Sequence, residues 1–141
     1  MINNPIVVSM YRTNPPKCEH DERKIYSGPL YATETLYELA AKAKVIPWSK
    51  GAIDDFQKWS FDNEELGQLI CEALKRGKYI DSEWCINKPG GSWAACDTYL
   101  IHVKEWNEYA HKELANAYYL KIALNKTGQL LLSASNHPEG T

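Results

Sequence analysis

A chain of 141 residues that is 44% apolar, with five tryptophans and nine tyrosines, has material for one packed core and too much of it for a disordered segment. No apolar run reaches the roughly 18 residues of a membrane span and no basic-then-apolar leader opens the chain, so a cytoplasmic protein without a membrane partner is expected. The net charge of -2 speaks against a broadly basic nucleic-acid binder, but it is unevenly spread. Residues 34–66 hold seven acidic and four basic side chains, whereas residues 67–141 hold eight of each and leave room for a local basic cleft. Cys18, Cys71, Cys85 and Cys96 form no C-x-x-C pair, and Cys18 with His20 lacks a second ligand pair. Free thiols, no metal and no cofactor are expected.

In chain order, Pro5 to Tyr11 is β-prone and runs into Asn14-Pro15-Pro16 and a charged stretch, so residues 1–30 read as an arm or extension of a single domain. From Glu34, the spacing of Leu36, Leu39, Ala40 and Ala43 predicts a helix with Thr33 as its N-cap. A shorter helix is predicted over Ala52–Trp59. Another spans Asn63–Arg76, with Asp62 and Glu65 as a capping-box-like start and Gly77 at its C-terminal cap. Ile80, Trp84 and Ile86 then alternate with Tyr79, Asp81 and Glu83 as in a half-buried strand, which Lys88-Pro89-Gly90-Gly91 ends. A strand from Asp97 to Val103 places Tyr99, Ile101 and Val103 on one side and Thr98 and His102 on the other. A short helix is predicted between Lys104 and Leu114. A closing hairpin turns Tyr118, Leu120, Ile122 and Leu124 inward, turns at Asn125–Gly128 and returns from Gln129 to Ser135, leaving Asn136 to Thr141 as a tail. The fold class that follows is α+β, with two or three helices packed on an antiparallel sheet.

No phosphate-loop, dinucleotide, zinc-protease or nucleophile-elbow motif is present. What alternation does assemble is a set of Lys, Tyr and His side chains on a sheet: Lys78, Tyr79, Tyr99, His102, Tyr119 and Lys121. Cleavage of RNA by its own 2′-hydroxyl needs a base, an acid for the leaving 5′-oxygen and cations for the phosphorane, and these residue types can fill all three roles. Trp84 or Trp93 could stack on splayed bases. Tyr99 and Trp84 also fall where core residues belong, Tyr119 and Lys121 could be a solvated strand face, and His137 lies in the tail.

The C-terminal half resembles the MqsR family of toxin-antitoxin ribonucleases. The likeness runs through the helix Leu66 to Arg76, Tyr79-Ile80-Asp81-Ser82, Asp97-Thr98-Tyr99, Tyr118-Tyr119-Leu120-Lys121-Ile122 and Leu130-Leu131-Leu132-Ser133, about 80 residues in all. It implies a RelE-like fold, an mRNA substrate cleaved without metal, and a cognate antitoxin as partner. It places Tyr119 where the family keeps an active-site tyrosine, with Lys121 beyond it in the same strand. Asp81 falls where the family has a catalytic lysine, unless a shift brings in Lys78, and Cys96 stands in place of a glutamine, departures that allow a diverged or inactive relative. Two readings follow. One is an endoribonuclease toxin with Tyr119, Lys121, Lys78 and His102 as catalytic groups and Tyr79, Tyr99 and Trp84 holding substrate. The other is a non-enzymatic protein binder, such as an inhibitor, an immunity protein or a phage-encoded antagonist, suggested by the mild acidity and the surface-capable aromatics.

Overall fold

The computed structural model of the protein describes residues 5–58, 62–107 and 111–138. Three helices, α1 (Thr33–Ala41), α2 (Lys50–Lys58) and α3 (Asn63–Arg76), accompany a six-stranded sheet. Its strands are β1 (Lys24–Ile25), β2 (Val45–Pro47), β3 (Lys78–Ile86), β4 (Trp93–Asn107), β5 (Lys112–Leu124) and β6 (Leu131–Pro138), in the order β1-β3-β4-β5-β6-β2. All neighbours are antiparallel except β2 with β6. The protein is thus an α+β fold of helices on a mainly antiparallel sheet. Among the described residues no helix is long and apolar enough to cross a membrane.

The pleat sorts side chains onto two faces. Tyr99, Ile101, Tyr118, Leu120, Ile122 and Leu124 share one face and pack with Leu36, Leu39 and Ala40 of α1 and Leu66, Ile70 and Ala73 of α3 in the main core. The two helices approach so closely that a Cβ on Gly67 would run into the Ala40 carbonyl. The Asp62 carboxylate accepts the Glu65 amide at 2.7 Å and starts α3 as its sequence predicts. On the opposite face α2 packs along β6, and Ala94, Cys96, Ala123 and Leu132, which the pleat turns that way, are buried. Among the described residues, the remainder of that face, towards the far ends of β4 and β5, carries no helix.

Residues 5–31 are woven into this frame. The Val8 amide donates to the Trp93 carbonyl and the Met10 amide to that of Leu124, both at 2.9 Å, so residues 5–11 bridge the gap between β4 and β5 where the two strands part. Val7, Trp84, Trp93 and Ala95 form a second small core there. Further on, Asp97 is wholly buried in the central strand. Its carboxylate accepts the Leu30 amide at 3.0 Å, the Tyr31 amide at 3.1 Å and the Ser82 hydroxyl at 2.6 Å, while the Tyr31 hydroxyl donates to the Ala95 carbonyl at 2.5 Å. Gly28 passes so near Ser82 and Tyr79 that a side chain would collide with both hydroxyls.

Several expectations are corrected. The stretch from Lys104 to Leu114 is not a helix: β4 runs to Asn107 and β5 begins at Lys112, because pairing of His102 with Ala117 through Asn107 with Lys112 satisfies more backbone than an isolated turn of helix could. Residues 136–138 are not a tail but the end of β6, opposite Tyr118 to Leu120. A bulge between Tyr79 and Asp81 shifts the register of β3, so Tyr79 turns to the α1/α3 face with Ser82 and Trp84, and Ile80 is left exposed. Ala32, not Thr33, precedes α1 and makes no side-chain cap, whereas Gly77 caps the C-terminus of α3 as its sequence predicts, its amide donating to the Ala73 carbonyl. The second helix starts earlier, at Lys50, and Trp59 lies outside the described residues.

Asp97→Ala would strand two backbone donors beneath the helices and is expected to cost about 3 kcal/mol in urea unfolding. Burial raises the Asp97 pKa above its ordinary 3.8, with the Ser82 hydroxyl and the Leu30 and Tyr31 amides opposing. The folded state therefore holds this proton more readily than the unfolded chain. Its contribution is greatest below pH 3.8 and declines as pH rises through the raised value. Asp97→Asn should remove that decline from the pH profile of the urea midpoint, and an unchanged slope would contradict the assignment.

Candidate functional site

The helix-free part of the sheet is where polar side chains converge. Reading across the strands, Asp81, Thr98, Lys121 and Ser135 stand in one row, and Lys78, Leu100 and Tyr119 in the next. Glu83 follows Asp81 on the same face of β3. Asp81, Glu83, Thr98, Lys121 and Ser135, with Ile80 and Tyr119, line a pocket of about 320 Å³. The bulge that expels Ile80 from the core makes it a wall of this pocket.

At its centre the Lys121 ammonium donates to the Glu83 carboxylate, each side chain being about one-third exposed. Desolvation pulls the Lys121 pKa down, but the Glu83 hydrogen bond and the neighbouring Cys85, Glu83 and Asp81 charges outweigh it, and the net direction is up. Lys121 is therefore a cation, suited to hold charge and not to accept a proton. Lys24 reaches Asp81 from the β1 edge at 4.0 Å. The Thr98 hydroxyl is buried in the pocket floor and, among the described residues, finds no hydrogen-bond partner. A buried hydroxyl in this condition is costly unless something else supplies the bond.

The residues singled out from sequence divide between the two faces. Tyr119 and Lys121 line the pocket. Lys78, opposite Leu100, and His102, opposite Ala117, are exposed on the same face beside it but are not part of its wall. Tyr79, Tyr99 and Trp84 lie on the α1/α3 face. Tyr79 meets Tyr99 edge to face at 5.9 Å and its hydroxyl shares a 2.7 Å hydrogen bond with Ser82. Burial, with the Asp97 and Tyr79 charges, pushes the Tyr99 phenol up to about 12. Trp84 is 3% exposed and packs against Tyr11 at 6.0 Å. Trp93 is buried beneath the Arg23 guanidinium at 5.0 Å. In this conformation these aromatics belong to the core, on the side of the sheet away from Tyr119 and Lys121. The backbone of His137 lies opposite Tyr119 in β6.

Sequence reasoning passed over Glu83 and Thr98 as functional groups. The signal was present, since alternation puts Glu83 with Asp81 and Thr98 with His102, but both were read as solvent-facing partners of a strand. Among the described residues no cluster of three metal-ligating side chains occurs. Compared with protein-family models, with curated proteins and with solved structures, the chain matches none.

If Glu83 is what holds Lys121 as a cation, Glu83→Gln should lower the Lys121 pKa, because desolvation then meets less opposition. A proton-detected titration of the lysine side chains would follow it. A Lys121 pKa unmoved in the variant would show that the pair does not form.

Proposed function

We propose that the protein is an endoribonuclease toxin that cleaves mRNA in the cytoplasm and is held in check by an antitoxin protein. The observation that carries this reading is the joining, in one pocket, of a carboxylate, a lysine cation, a phenol and an unpartnered buried hydroxyl. Together these are the components that intramolecular RNA cleavage requires, supplied by side chains without a metal. The exposed Lys78 and His102 beside the pocket, and the resemblance around Tyr119 and Lys121, support it further.

In this mechanism the Glu83 carboxylate takes the proton from a ribose 2′-hydroxyl. The freed oxygen attacks the adjacent phosphorus, the Lys121 ammonium and the Thr98 hydroxyl hold the charge that gathers on the phosphorane oxygens, and the bond to the 5′-oxygen breaks. Tyr119 gives the leaving oxygen its proton. His102, diagonal to Tyr119 across β4 and β5, is placed to restore it. The products are a 2′,3′-cyclic phosphate and a 5′-hydroxyl. Glu83 takes over the role that the resemblance would give to a lysine at Asp81, so the departure there changes the cleavage machinery without emptying it.

A non-catalytic protein-binding reading is favoured by one observation: Lys121 is already neutralised by Glu83. Induced expression separates the two. Wild type should arrest growth and fragment total RNA, and purified protein should do so undiminished by EDTA. Glu83→Gln and the Tyr119→Phe, Lys121→Ala pair should each lose about 10²- to 10⁴-fold in cleavage rate. Thr98→Val should lose activity while keeping or slightly gaining stability, since its hydroxyl makes no bond in the free protein. Normal growth with intact RNA, together with capture of a stoichiometric protein partner, would favour the binding protein instead.

A further inference from the structure

The pocket around Lys121 does not end at Glu83. A second hollow, of about 350 Å³, shares Glu83, Lys121 and Ser135 with the first and continues towards the start of α2 and the turn after β3. Its walls add Lys50 and Lys88. These two cations come from segments far apart in sequence, the first residue of α2 and the turn after β3, and folding alone brings them together. The Lys50 amide donates to the Asn87 carbonyl at 2.8 Å, which ties the start of α2 to that turn and fixes Lys50 near Lys88 in the chain's path. Ser49 secures the same corner, its hydroxyl donating to the Ala134 carbonyl at 2.7 Å and accepting the Ala52 amide at 3.0 Å.

The two hollows differ in charge. The one at Tyr119 is lined by Asp81 and Glu83 against Lys121, whereas the one at α2 sets Lys50, Lys88 and Lys121 against Glu83 alone. Arg23 also borders it, but its guanidinium turns to the other face of the sheet, over the Trp93 ring and donating to the Glu19 carbonyl at 3.3 Å. Lys50 and Lys88 are exposed and, among the described residues, have no carboxylate within salt-bridge reach.

We propose that Lys50 and Lys88 form an anchoring subsite for a backbone phosphate of single-stranded RNA, flanking the scissile bond held at Glu83 and Lys121. The proposal rests on the cleavage reading for its choice of ligand. It makes the enzyme act on strands long enough to span the groove and turn dinucleotides over poorly. It also explains how an acidic protein holds RNA: attraction comes from the α2 end, and chemistry occurs at the carboxylate end.

The test is salt-dependent binding of a fluorescent, non-cleavable 2′-O-methyl RNA octamer to wild type, to the Lys50→Gln, Lys88→Gln double variant and to a Lys42→Gln, Lys104→Gln control. Loss of two phosphate contacts should weaken binding about tenfold at 0.1 M salt and flatten the log-log salt slope by about 1.4, with the control unchanged. In cleavage, the double variant should raise KM for long RNA and leave the rate on a dinucleotide unaltered. Equal slopes for the double variant and wild type would overturn the subsite, and if wild type still cleaves RNA the cleavage reading stands without it. A flattened slope with no cleavage by wild type would keep the subsite and sink the nuclease. Loss of polyglutamate binding with octamer binding intact would give the cluster to an acidic protein partner and overturn the proposal.

Discussion

A carboxylate buried in the middle of a sheet must find donors, and Asp97 finds them in the chain that leads into the first helix. By accepting the Leu30 and Tyr31 amides and the Ser82 hydroxyl, it fastens residues 28–31 across β3 and β4 at the point from which α1 departs. The placement of α1 then determines that of α3, since the two meet at Gly67 and Ala40 with no room for a side chain between them. One polar interaction thus sets which face of the sheet the helices close. A buried charge is worth having only while all its partners are present, so the anchoring depends on the whole set.

The consequence for function is a division of labour between the faces. With α1 and α3 on one side, the aromatics Tyr79, Tyr99 and Trp84 are committed to packing. The opposite side is covered only where α2 lies along β6, so the sheet is left with a groove whose floor is strand side chains and whose end wall is the start of α2. Strand pleat then acts as a filter: Asp81, Glu83, Thr98, Tyr119 and Lys121 reach the groove because each falls on the correct phase of its strand. Rigid strands are good supports for groups that must meet a substrate in fixed geometry.

Much of this was legible in the sequence. Periodicity placed α3 residue for residue. It also placed the inward set Tyr118, Leu120, Ile122 and Leu124 of β5, and it separated Tyr99 and Ile101 from Thr98 and His102. The errors have physical causes. The bulge at Ile80 puts Lys78 and Tyr79 out of phase with the rest of β3, which no alternation rule can foresee, and so Tyr79 changed sides. The stretch from Lys104 to Asn107 has no amphipathic strand signature of its own and becomes strand through pairing with residues 112–115. β2, three residues long and parallel to β6, is too short to leave a pattern. In the candidate site Tyr119 and Lys121 could be named from one strand, but the Glu83 to Lys121 pair and the meeting of Lys50 and Lys88 are products of topology, each between residues 38 positions apart.

The central claim is that the sheet face bearing Glu83, Lys121, Thr98 and Tyr119 cleaves RNA by activating its own 2′-hydroxyl. The most direct measurement is mass analysis of the ends produced from a defined single-stranded RNA, alongside the same strand carrying a 2′-deoxy sugar at the cleaved position. The account predicts 2′,3′-cyclic phosphate and 5′-hydroxyl ends, and no cut at the deoxy sugar. Cleavage of the deoxy strand, or 5′-phosphate ends, would contradict it.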